Sequence, residues 1–184
     1  IAAKARTIEV SFNWDGPESS MAVVDDGEGM SAQGLVQAMR LGSVNPNEVR
    51  DATDLGRFGL GLKSAGWSQA RTLTVASKQT GGDLSVRQWD LDHVSQTGSW
   101  SLKNLGGDEA SEYGSAISDF ASGTVVKLEN MDRLVGDEPR DDEDARSRFL
   151  NAVRLTQTHV GIVFHRFMAG KDAVALSVNG NRVK

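Results

Sequence analysis

A chain of 184 residues, 39% of them hydrophobic, is long enough for one domain with a full core. Its net charge of −5 argues against a surface that grips nucleic acid as a whole, since such surfaces are usually basic. The lack of cysteine excludes disulfides and cysteine-ligated zinc, and no apolar run approaches the roughly 18 residues of a membrane span.

Ile1 to Ala5 reads as the last turn of a helix, and Ile1 is not an initiator Met, so the expectation is a processed chain or a fragment. Thr7 to Phe12 alternates apolar and polar residues, as a half-buried strand does. Asp15-Gly16-Pro17 is a turn signal, and Met21 to Asp25 completes an expected hairpin. Ser31 is a good N-cap for a helix over Ala32 to Leu41, and a polar segment from Gly42 to Leu55 leads to a further helix over Leu60 to Ala70. Strands are expected at Leu73 to Ser77, Leu84 to Leu91, Ser99 to Leu102 and Thr124 to Glu129, with irregular chain from Leu105 to Ser122. The longest helix is expected from Asp141 to Val160. Acids crowd its start, and Phe149, Ala152, Val153, Thr156 and Val160 share one face. Strands at Ile162 to Phe167 and Ala173 to Val178, then an Asn179-Gly180 turn, close the chain. No secretory signal is visible, and the expected location is cytoplasmic. His93, His159 and His165 are too scattered to suggest a metal site, and the four tryptophans read as packing anchors because no basic groove accompanies them.

Two glycine-rich segments carry the chemistry. The first is Asp25-Asp26-Gly27-Glu28-Gly29-Met30. A carboxylate at a strand end accepts hydrogen bonds only, which suits the exocyclic amine of adenine. Gly27 and Gly29 let backbone approach a flat ring, and Met30 offers an adaptable apolar wall. Read alone, the same residues suit an ordinary Asp-Gly turn before a helix. The second is Gly56-Arg57-Phe58-Gly59-Leu60-Gly61-Leu62-Lys63-Ser64. It fails the P-loop register, because Leu62 intervenes before Lys63-Ser64, and it fails the dinucleotide fingerprint, because Ser64 stands where a glycine is needed. A glycine loop entering a helix remains, whose backbone N–H groups suit phosphate oxygens, with Lys63 as a point charge. A flexible glycine loop with an exposed lysine is the plainer alternative. Gly123-Thr124 adds a hydroxyl at a strand start that could share a water with Asp25 and adenine, or serve as an ordinary strand residue.

In this order the three pieces resemble the GHKL ATPases: gyrase-type topoisomerases, heat-shock chaperones, histidine kinases, MutL proteins and MORC ATPases. Asp25 to Met30 resembles their adenine motif, Gly56 to Gly61 their lid motif, and Gly123-Thr124 the piece that completes the adenine site. Gly59 to Ser64 is closest to MORC-type members and their bacterial relatives. The resemblance implies an α+β Bergerat fold, a two-layer sandwich of mixed sheet with helices on one face, over a single domain 1–184 with a mobile ATP lid at 42–57. It implies ATP contacts from Asp25, Gly27, Gly29, Met30, Arg57, Phe58, Gly59, Leu60, Gly61, Leu62, Lys63 and Thr124. The family's Glu-x-x-x-Asn helix motif, which supplies the catalytic base and the Mg²⁺ ligand, would lie before Ile1. The chain as given is therefore expected to hydrolyse ATP poorly, whereas a longer parent could be an active ATPase. ATP is implied to close the lid and pair two domains. A module that senses ATP or acts as a chaperone without turnover is the alternative, and a histidine-kinase domain a weaker one. Nothing in the residues selects nucleic acid or a client protein as a further partner.

Overall fold

The computed structural model describes residues 3–40, 61–171 and 173–184. The expected lid, 42–57, lies outside these. Strands β1 (Thr7–Asn13), β2 (Ser20–Asp25), β3 (Thr72–Lys78), β4 (Ser85–Asp90), β5 (Lys103–Leu105), β6 (Gly123–Glu129), β7 (Ala175–Val178) and β8 (Asn181–Arg182) form one sheet. Its order is β5-β4-β3-β6-β2-β1-β7-β8. Neighbours are antiparallel except β1 and β7, so the sheet is mixed, as expected.

Period-2 alternation sorts side chains onto the two faces. On one face Val10, Leu73, Val75 and Leu128 form a core with Leu35 and Met39 of α1 (Ala32–Met39) and Phe149 and Val153 of α5 (Glu143–Phe164). Leu62 and Trp67 of α2 (Gly61–Trp67) pack against the same core. This is the expected helical layer. A smaller cluster, Ala76, Val86, Val125, Ala110 and Ile117, forms on the opposite face beneath α4 (Gly107–Gly114) and the 3-10 turn Ser115–Ile117. That second layer was expected as irregular chain. Its apolar residues are sparse but recur at 110, 113 and 117, a helical spacing that tertiary packing completes.

Other elements depart from expectation for local reasons. Residues 3–5 are not helical: Lys4 has a left-handed φ of 53°, and the Ala3 carbonyl accepts from Glu28 N–H at 2.9 Å. Helix α3 (Leu91–Thr97) follows β4 because Asp90 accepts from the N–H groups of Asp92 and His93 at 2.9 and 3.0 Å, and Gly98 ends it in the left-handed region. The expected strand at 99–102 is accordingly displaced to β5. Ile162 to Phe167 is not a strand: α5 continues to Phe164 and a 3-10 turn follows at His165–Phe167. The stripe Phe149, Val153, Val160 extends to Phe164 at helical spacing, and this outweighs the β preference of Ile162 and Val163.

Asp142 caps α5, its side chain accepting from Ala145 N–H at 2.7 Å. Asp142→Ala is expected to cost about 1 kcal/mol, or about 2–4 °C in Tm by thermal melt. Asp142→Asn, which still caps, should retain most of that.

Candidate functional site

The sheet register gathers residues from three distant parts of the sequence into one row. Asp25 on β2 is paired with Thr124 on β6, and Thr124 with Ser77 on β3. Val23 and Val126 lie two residues along β2 and β6, about 7 Å away on the same face, which is the face covered by α1 and α2.

Ser77 is fully buried and Thr124 nearly so. The Ser77 Oγ lies 2.9 Å from Thr124 Oγ1, accepts the N–H of Met30 at 2.8 Å and donates to the Gly123 carbonyl at 3.1 Å. One hydroxyl thus joins the first glycine motif to the Gly-Thr pair. No sequence signal marked Ser77; its position on a strand of alternating residues is visible, but its partners come from strands and loops about 47 residues away on either side.

The two adjacent acids of the first motif have opposite environments. Asp25 accepts the N–H of Gly27 at 2.9 Å. Burial pushes its carboxyl up from the usual aspartate range, the Gly27 bond opposes this only in part, and the charge of Asp26 adds to it. Burial acts upward on Asp26 too, but hydrogen bonds from the backbone of Thr7 and Arg6 outweigh it and hold that carboxyl below its usual value. Those bonds, at 2.7 Å from Arg6 N and 2.8 Å from Thr7 N, make Asp26 the anchor of the chain entering β1. Asp25 is left as the acid whose charge is poorly satisfied.

The glycines let this motif fit against its own surroundings. A Cβ on Gly27 would sit 2.4 Å from the Ala3 carbonyl oxygen. Gly29 has φ +65°, and a Cβ there would sit 1.9 Å from the Lys78 carbonyl oxygen. Met30, just beyond, packs on the core of the helical face.

Of the second motif, Arg57, Phe58, Gly59 and Leu60 lie outside the described residues, while Gly61, Leu62 and Lys63 open α2. Lys63 is only 1% exposed. Its ammonium donates to the Ala38 carbonyl at 2.7 Å, at the end of α1 where helix carbonyls concentrate negative charge. Burial lowers its pKa. The bond fastens the start of α2 to the end of α1, the two described flanks of the segment between them.

Between α2 and the sheet lies a cavity of about 290 Å³, lined by Val23, Val126 and Leu128 below and Leu62, Ala65 and Gly66 above. Its volume lies near the lower end of the range for small-molecule pockets. A larger cavity, about 640 Å³, lies beyond β1 between residues 4–6 and 166–174 and contains no motif residue. Lys4 on its wall is paired with Glu28 at 2.7 Å. The smaller cavity is the candidate because Val23 and Val126 on its apolar floor stand two residues along β2 and β6 from Asp25 and Thr124. Among the described residues, no group of three or more His, Cys, Asp or Glu side chains gathers to hold a metal, and no helix is long and apolar enough to cross a membrane.

The tryptophans pack. Trp67, Trp89 and Trp100 meet edge to face with centroids 5.7–5.9 Å apart, and Trp14 lies 5.5 Å from Phe149. Trp100, 59% exposed, is the outer member of its cluster.

A search of curated proteins returns no match. Among solved structures, the fold is similar to the ATPase and transducer domains of DNA topoisomerase II from Balamuthia mandrillaris, with a TM-score of 0.53 and 18% identity. That likeness covers 98% of this chain and 43% of the other, so the chain spans less than half the length of the structure it matches. Residues 1–124 match the family described as histidine kinase-, DNA gyrase B-, and HSP90-like ATPase. Two thirds of the sequence carries that match, and the chain belongs to this ATPase family.

Proposed function

We propose that the chain binds ATP, with the adenine amine held by Asp25 and, directly or through water, by Thr124, and the ring seated in the cavity between α2 and the sheet. The observation that supports this most is the register: Val23 and Val126, on the floor of the apolar cavity, stand two residues along β2 and β6 from the paired acceptors Asp25 and Thr124. An aromatic ring gains from apolar walls, and an amine gains from acceptors that water cannot fully reach. Mg²⁺ accompanying the nucleotide would screen its phosphate charge.

In this reading the chain is the ATP-binding part of a MORC- or MutL-like machine, in which ATP closes a lid at 42–57 and pairs two domains. The Lys63–Ala38 bond supports a lid, because it holds together the two helices that flank the segment. A segment with neighbouring ends can reorganise without dismantling the core. Arg57 to Lys63 would then meet the phosphates.

The test is calorimetric titration with a non-hydrolysable ATP analogue and Mg²⁺, followed by sedimentation velocity with and without the analogue. Saturable binding at one site per chain is expected. Absence of binding would end the nucleotide reading; binding without a change in sedimentation would remove only the pairing.

A further inference from the structure

The hydrogen-bond inventory of the buried row has one complete solution. Ser77 Oγ has one proton and two lone pairs. The Met30 N–H fills one lone pair. The Gly123 carbonyl, 3.1 Å away, can only accept, so the Ser77 proton belongs to it. The remaining contact, 2.9 Å to Thr124 Oγ1, then requires Thr124 to be the donor. In the reverse arrangement Ser77 would give its proton to Thr124 and face the Gly123 oxygen with none between them, two lone-pair-bearing oxygens in buried contact.

The geometry points to Ser77 as the positioning residue that selects an amine over a carbonyl on the bound purine, a role that rests on the nucleotide reading above. With its proton committed to Ser77, Thr124 has only lone pairs left to offer a ligand. Asp25 accepts as well. Two acceptors side by side favour a ligand edge that donates, the 6-amino group of adenine. They repel a 6-oxo purine, whose oxygen would face them lone pair to lone pair. Ser77 touches no ligand; it acts by deciding which way the Thr124 proton points.

The experiment compares ATP and ITP, which carry a 6-amino group beside a bare N1 and a 6-oxo group beside a protonated N1, by calorimetry on the wild type, Ser77→Ala, Thr124→Val and the double variant. Removing the Ser77 oxygen frees the Thr124 proton to turn toward a carbonyl. Ser77→Ala is expected to reduce the ATP-over-ITP preference about 10-fold, with much of the change coming from tighter ITP binding. In the Thr124→Val background, Ser77→Ala should change the preference no further, because the hydroxyl it controls is gone. A purely structural role would weaken both nucleotides alike and leave their ratio in place; that outcome overturns the assignment. So would an effect of Ser77→Ala on the ratio that persists without the Thr124 hydroxyl. Ser77→Cys, which keeps the volume, answers the same question if the alanine variant does not fold. A wild type that binds neither nucleotide refutes the nucleotide site itself, an outcome distinct from a wild type that binds ATP with a ratio Ser77 does not influence.

Discussion

Asp25→Asn is expected to weaken ATP binding by about 10- to 100-fold, the worth of one hydrogen bond to a charged acceptor, without lowering the melting temperature. The amide oxygen can still accept from Gly27, but the amide nitrogen then presents a donor to the ligand's amine. The stability side follows from the raised carboxyl pKa. A carboxyl whose folded pKa lies above its unfolded value of 3.8 favours the fold fully below that value, and this contribution is lost as pH rises through the folded pKa. Asn is neutral throughout and does not suffer this loss. The variant should match the wild type in acid and equal or exceed its Tm at neutral pH. ATP affinity of the wild type should also fall as pH is lowered from neutral through the raised pKa of Asp25, as its carboxyl takes up a proton, and that part of the pH dependence should vanish in Asp25→Asn. Calorimetry and melts across this range decide the matter, and unchanged affinity in the variant would exclude Asp25 from the site.

Gly29→Ala is expected to cost about 2–4 kcal/mol, a fall of roughly 5–15 °C in Tm. Two effects combine. A side chain at φ +65° is strained, and its Cβ would lie 1.9 Å from the Lys78 carbonyl oxygen, which is backbone and cannot turn aside. The loop must lift away from β3, and the Met30 N–H then loses Ser77. Gly81 is the control, with φ +72° but no atom within 4 Å of its added Cβ. Gly81→Ala should show the backbone strain alone, about 1 kcal/mol, and leave ATP binding intact. Equal melting temperatures for the two variants would mean that the loop does not depend on its approach to β3.

The site residues that sequence reading reached are those whose chemistry is local. Asp25 ends an apolar run and precedes Gly27 and Gly29, and Thr124 opens a β-branched strand, so each announces itself within a few positions. Ser77 does not, because its role depends on pairing β3 with β6 and on Met30 folding back above both. The same limit applied to the fold. Hairpin β1–β2 follows from alternation, α1 from its cap Ser31, and α5 from its apolar stripe and the acids at its start. Helix α4 is mostly polar and is held by Ala76, Val86 and Val125, contacts no short window contains. The sequence offers Lys63 as a point charge for phosphates or, more plainly, as an exposed lysine; its burial against Ala38 depends on how α2 sits on α1, which a linear pattern does not encode.

The position of β6 also governs the order of assembly. It is made after β2 and β3 yet lies between them, so those two strands have no shared neighbour until residues 123–129 arrive. Sheet pairing over such sequence separations is slow, since loop closure precedes its reward. Asp25, Thr124 and Ser77 come into register only when β6 enters. The proposed ligand therefore has nothing to recognise on a half-built chain, and it would lengthen the life of the native state rather than hasten its formation.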